Sequence, residues 1–130
     1  MVRASKILRA AAGPAILLLL YVVFFWRITL SHQFTWLESP DIAYQVMPWL
    51  EVQERAFHQR QLPLWDPYEW GGQSLIGQMQ PGTANPLNWI LFALPLRDGF
   101  IRELFLHWYF ALIHYLGGLF CYLLCRDLKL

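Results

Sequence analysis

The sequence predicts an all-α membrane protein: two transmembrane helices joined by a long external loop that carries short interfacial helices. Three observations predict it. Hydrophobic residues make up 57% of the 130 and charged residues only 15%, against roughly 45–50% and 25% in globular domains. Apolar runs of spanning length lie toward both ends, over residues 10–30 and 104–125. Five of the seven tryptophans (Trp36, Trp49, Trp65, Trp70 and Trp89) fall between them. Indole is costly to leave in water, so this points to a membrane interface, an apolar groove or a ligand platform. The net charge of +1 gives no reason to expect nucleic acid.

The first nine residues are a basic start, with Arg3, Lys6 and Arg9. From Ala10 to Trp26 no charge interrupts the chain. About 20 helical residues cross a hydrocarbon core of about 30 Å, so 10–30 is read as the first span. Pro14 is expected in its first turn, where a missing N–H costs least. Trp26 and Arg27 read as an anchor at the far interface. A cleaved signal peptide is the rival, but the apolar run is too long and no Ala-x-Ala site follows.

The second span, 104–125, stops at Arg126-Asp127-Leu128-Lys129, leaving 126–130 as a short polar end. Five basic residues (Arg3, Lys6, Arg9, Arg126, Lys129) flank one side and three (Arg27, Arg97, Arg102) the other. That asymmetry predicts both termini in the cytoplasm and the loop outside. Ala111, His114, Gly118, Cys121 and Cys125 form a small-residue stripe with Gly117 beside it, which lets helix backbones approach closely in lipid. The two cysteines, four apart on one face, read as packing residues rather than a disulfide or metal pair. His107 and His114 read as polar glue between helices. A stripe this wide predicts further helices as partners, in cis or in trans.

The loop, 31–103, is too long to be structureless in a compact protein. Ser39-Pro40-Asp41 reads as a helix start, with a cap, a first-position proline and a first-turn acid. The helix is expected to run through Ile42, Val46, Trp49, Val52 and Ala56 and to be kinked by Pro48. Residues 61–68 hold two prolines four apart and cannot be helical. Gly71-Gly72, Gly77, Pro81-Gly82 and Asn85-Pro86 continue the irregular stretch. A short apolar helix is then expected over 88–94, too short to span.

A plain connector would be rich in Ser, Lys and Glu. This loop instead combines aromatic faces with placed polar groups: Asp41, Gln45, Asp66, Gln73, Gln78, Gln80 and Asn85. A mostly apolar cleft with a few polar groups suits a small molecule. Aromatic faces beside amides and carboxylates suit a sugar. Interfacial anchoring by the tryptophans is the simpler alternative. No set of carboxylates, His or Cys makes a metal site, and Gly71-Gly72 is no phosphate loop, since no Lys-Ser/Thr follows.

The order of motifs also resembles a family. A basic start and one helix precede Pro40-Asp41, Gln45 and Pro48-Trp49. Leu62-Pro63-Leu64-Trp65-Asp66-Pro67-Tyr68 follows, then Gly71-Gly72, Gln80-Pro81-Gly82 and Asn85-Pro86-Leu87-Asn88. The second span closes on Gly118, Tyr122-Leu123-Leu124 and Arg126. This resembles the N-terminal part of the bacterial YfhO-type multi-pass membrane proteins, in the GT-C glycosyltransferase superfamily.

The resemblance implies a chain in the bacterial inner membrane that forms part of a larger GT-C-like bundle. It implies a lipid-linked sugar donor, a polyprenyl phosphate, and transfer to an extracytoplasmic acceptor. Asp41 stands at the place of the family's catalytic acid and is expected to act as general base. Gln45, Trp49, Trp65, Asp66, Tyr68, Gln80 and Asn85 are the expected substrate-facing residues. Asp66, before Pro67, also reads as a turn residue bonded to its own backbone. Charge on the leaving phosphate would fall to Arg55, Arg60, Arg97 or Arg102. No cofactor is expected, although relatives can use a divalent cation. Because the chain stops just past the second span, these residues are expected to be inactive alone. The alternative from another class is a small two-helix membrane protein that binds a partner or the lipid surface through its aromatic loop.

Overall fold

The computed structural model describes the backbone of residues 2–130 and the side chains of residues 11–130. Arg3, Lys6 and Arg9, which carry part of the orientation argument, lie outside the described side chains. The chain forms two compact units: Met1–Phe34 with His107–Leu130, and Thr35–Leu106.

The first unit is a pair of long helices. Helix α1 (Val2–Thr29) begins before the apolar run. Pro14 therefore lies inside the helix, not in its first turn, and has no N–H to offer the carbonyl four residues back. Helix α5 (Glu103–Asp127) is the other. Both are long and apolar enough to cross a membrane. Within the most apolar 18-residue stretch of each helix, 6% of the first's residues and none of the second's are buried; Leu106, His107 and Tyr109, near the start of α5, are buried. The core helix of a soluble domain would be mostly buried, and these stretches are not.

The two helices run antiparallel, and each places a tyrosine over the other's glycine. A Cβ on Gly118 would stand 2.8 Å from the Tyr21 hydroxyl, and one on Gly13 would run into the Tyr122 ring. Tyr21 meets Tyr115 edge-on, with ring centroids 6.1 Å apart. Phe25 lies 5.4 Å from the His114 ring. Gly118 and His114 of the small-residue stripe therefore face α1, whereas Gly117 has open space around it. At the end of α1 the Arg27 guanidinium lies over Trp26 and Phe34, 5.5 and 5.9 Å from the ring centroids. His32 and His107 stack beyond it, 6.5 Å apart.

The second unit is built on one helix with a π segment and on a small hairpin. A 3₁₀ turn (Trp36–Glu38) is capped by Thr35, whose Oγ1 accepts from the Leu37 N–H at 3.1 Å. Ser39 is extended, Pro40 and Asp41 are helical, and the Ser39 carbonyl accepts from Ala43 N–H at 3.0 Å. A π-helical segment (Ile42–Val46) then leads into α2 (Met47–His58). Pro48 does not break the helix. Its missing N–H leaves the ladder short by one donor, and the wider turn just before it absorbs the mismatch: Met47 N–H bonds Ile42 O, five residues back.

Strands β1 (Trp65–Asp66) and β2 (Gln73–Ser74) pair antiparallel, Trp65 opposite Ser74 and Asp66 opposite Gln73. A single helical turn, α3 (Leu75–Gln78), follows, capped by the Ser74 hydroxyl accepting from Gly77 N–H at 3.0 Å. Helix α4 (Pro86–Phe92) starts two residues before the expected 88–94. Asn85 is its cap, with Oδ1 accepting from Leu87 N–H at 3.1 Å, and Pro86 fills its first position.

The core of this unit holds Trp49, Leu50, Leu75, Leu91 and Phe92, with Phe57 against Phe92. It also holds polar groups. Gln53 Nε2 donates to the Pro81 carbonyl at 2.9 Å, and Asn88 Nδ2 donates to Gly82 O at 3.1 Å and to Gln53 Oε1 at 3.4 Å. These bonds tie α2 and α4 to the irregular stretch around Pro81-Gly82. That stretch has no ladder of its own, so side chains hold it.

Candidate functional site

Asp41, Gln45 and Trp49 are four apart on one helix, so they follow one side of it, with a drift added by the π segment. Asp41 is exposed and makes no capping hydrogen bond. Gln45 is half-buried, and Trp49 is buried in the core. The row thus runs from an open carboxylate to a fixed indole.

The indole is where the helix meets the hairpin. Trp49 Nε1 donates to Glu69 Oε2 at 3.0 Å, and Gln73 Nε2 donates to the same oxygen at 2.6 Å. Glu69 sits in the turn between β1 and β2, and these bonds fix its orientation. Around it stand Trp65, Tyr68 and Trp70, all exposed; Trp70 is 92% exposed. Trp70, Gly71 and Gly72 have φ of +53°, +76° and +108°, so the turn crosses left-handed space three times in succession. Only glycine fits at 72, because a Cβ there would stand 2.6 Å from the Trp65 ring. The Trp65 indole therefore lies directly on that backbone. A large aromatic held exposed in an unfavourable backbone conformation is a feature that packing alone does not account for.

Asp66 is 1% exposed. Its Oδ1 accepts from Tyr68 N–H at 2.9 Å, the turn bond expected before Pro67. Its Oδ2 is buried and has no hydrogen-bond partner among the described residues. An unmatched buried carboxylate oxygen is costly, and a hydroxyl donor would relieve it.

Of the expected substrate-facing residues, the hairpin gathers Trp49, Trp65, Asp66 and Tyr68 around Glu69, and the helix carries Gln45 and Asp41. Asn85 and Gln80 lie on the stretch before α4. Asn85 already spends its carbonyl oxygen on the cap, and Gln80 is exposed. The four arginines differ. Arg55 lies over Tyr68, 5.4 Å from the ring centroid, and its Nε donates to Glu51 O. Arg97 pairs with Asp98 at 3.8 Å on the surface, and Arg102 lies over Phe105. Arg60 lines a cleft described below.

Glu69 was not among the residues expected from sequence. An acid enclosed by two aromatics before a double glycine, Tyr68-Glu69-Trp70-Gly71-Gly72, was the available signal. Glu54 was also missed. It is 1% exposed and pairs with His58 Nε2 at 3.1 Å. Burial pushes the carboxyls of both Glu54 and Glu51 up; His58 and Arg55 pull Glu54 back, and Arg55 pulls Glu51 back. Among the described residues, no three His, Cys, Asp or Glu side chains come together as a metal site.

A second feature lies on the other side of Gln53. A cleft of about 530 Å³ is enclosed by the end of α2, residues 60–64, Ile76, Thr83-Ala84 and the α4 residues Trp89 and Phe92. No protein-family model, curated protein or solved structure matches this chain.

Proposed function

We propose that the chain is the N-terminal module of an integral-membrane glycosyltransferase. It transfers a sugar from a polyprenyl-phosphate donor to an acceptor outside the bacterial inner membrane. Helices α1 and α5 span the bilayer with both ends cytoplasmic, and the second unit lies on the far side. One observation carries the reading: an uncapped, exposed Asp41 on a π-bulged helix whose same side leads to the Trp49–Glu69–Gln73 cluster and its exposed aromatics. π segments recur at functional sites because the wide turn re-aims side chains.

Asp41 takes the proton of the acceptor hydroxyl as that oxygen bonds the anomeric carbon. The bond from that carbon to the lipid phosphate breaks, and the phosphate leaves with the electron pair. Trp65, Tyr68 and Trp70 offer flat faces to a sugar's C–H groups, and the half-buried Glu69 offers an acceptor for its hydroxyls. The open surface at Gly117 suits close approach of a further membrane helix, in cis or in trans.

The test is Asp41→Asn in the protein as encoded, in native membranes, with labelled polyprenyl-phosphate sugar. Loss of a general base lowers transfer by about 10²–10⁴-fold, with membrane insertion unchanged. Near-normal transfer in that variant would sink the assignment.

A further inference from the structure

The reaction as proposed above assigns no step to the cleft beside Gln53. Its rim residues Leu62, Leu64, Ile76 and Trp89 are 76%, 48%, 52% and 54% exposed, a large apolar area to leave in water. Such a concentration marks an interaction surface rather than ordinary surface scatter. Its volume, about 530 Å³, lies within the range of small-molecule sites.

The lining decides the ligand chemistry. The Gln53 amide is already spent on the Pro81 carbonyl and Asn88. Thr83 contributes a buried hydroxyl with no hydrogen-bond partner among the described residues. With the exposed Gln61 amide, the polar groups are still few for a sugar or a nucleotide. Among the described residues of the lining, Arg60 is the charged one and none is acidic. An apolar slot with a single cation fits an amphiphile with an anionic head.

Chain continuity narrows the source. The second unit begins just after α1 ends, and α5 begins inside it. Both helices are long and apolar enough to cross a membrane. With both helices in a bilayer, the unit is tethered to it at both ends, where phospholipid exceeds any other amphiphile. An indole at the mouth, Trp89, is the side chain expected at a headgroup boundary.

We propose that this cleft seats an acyl chain of an anionic bilayer phospholipid, with the lipid phosphate on Arg60. The assignment needs only the two spans and is independent of the transferase reading.

Photo-crosslinking tests it. The full chain is placed in phosphatidylcholine nanodiscs containing a trace of phosphatidylglycerol with a diazirine on one acyl chain. Adducts are mapped by mass spectrometry. They are expected on residues 57–64 and 83–92 as well as on the spans. Arg60→Asn removes the charge and tolerates the positive φ of +56° at this position. It should lower labelling of those two segments about fivefold, the worth of one cation near an anionic surface. Labelling of the spans, the internal reference, should not change. A phosphatidylcholine probe should label the two segments at the lower level. Adducts confined to the spans would overturn the proposal. So would equal labelling by the two lipids, or displacement by polyprenyl phosphate but not by unlabelled phosphatidylglycerol. If Arg60→Asn perturbs the fold, the two-lipid comparison on the unaltered chain decides alone.

Discussion

Gln53→Leu isolates the polar tie inside the second unit. Leucine is close to glutamine in size, so the substitution opens little space and removes mainly two hydrogen bonds. Asn88 Nδ2 keeps its bond to Gly82 O at 3.1 Å. The Pro81 carbonyl loses the donor at 2.9 Å and stays buried. One buried acceptor left unmatched costs about 1–3 kcal/mol. The weaker 3.4 Å contact from Asn88 adds little. That cost predicts roughly 5- to 150-fold faster native-state amide exchange in α2 and in residues 81–92, where opening of the unit limits exchange. Exchange is measured by mass spectrometry on the chain in nanodiscs, with peptides from α1 and the C-terminal half of α5 as references. Unchanged exchange at 81–92 would refute the claim that Gln53 holds the irregular stretch. A uniform rise across both helices of the first unit would refute the separate accounting of the two units.

Gly72→Ala should displace the Trp65 indole and cost about 1–3 kcal/mol through a strained φ; accelerated exchange confined to the hairpin checks it. Glu54 gives a pH dependence of known sign. Its carboxyl is raised above 4.5 in the fold, so the folded chain binds this proton more tightly than the unfolded chain does. Stability from this group is full below pH 4.5 and is lost as pH rises through the raised value. Glu51 acts in the same direction, so Glu54→Gln should shrink, without abolishing, the difference in denaturation midpoint between acid and neutral pH. An unaltered difference would exclude Glu54 as a contributor. Gly118→Leu drives a side chain into Tyr21 and should destabilise the α1–α5 pair by about 1–3 kcal/mol, read as a lower thermal midpoint in detergent.

The long helices were legible because one property, sustained apolarity, both defines and stabilises them. The helix start at Ser39-Pro40-Asp41 was legible for a similar reason: cap, proline and acid are local signals. Asn85-Pro86 shows the limit of local signals. The same pair fits a turn or a helix start, and the Leu87 N–H bond to Asn85 Oδ1 makes it a helix start. Pro48 predicts a kink; the structure meets the missing donor with a wider turn, Met47 N–H bonding Ile42 O. The hairpin was not legible at all. Its strands are two residues each, too short for an alternating pattern, and the Trp65 ring over Gly72 is a contact that pattern does not encode. Glu69 escaped for the same reason, since its importance comes from Trp49, 20 residues away in sequence.

The reciprocal tyrosine-on-glycine contacts of α1 and α5 have a mechanical consequence. Two contact points at different heights, Gly13 with Tyr122 and Gly118 with Tyr21, define both the axial position and the rotation of one helix against the other. A piston stroke of one helical turn, about 5.4 Å, would pull both rings from their notches at once and press them on bulkier neighbours. Sliding is therefore opposed at both contacts together, so a relative motion of these helices that spares them is a tilt rather than a stroke.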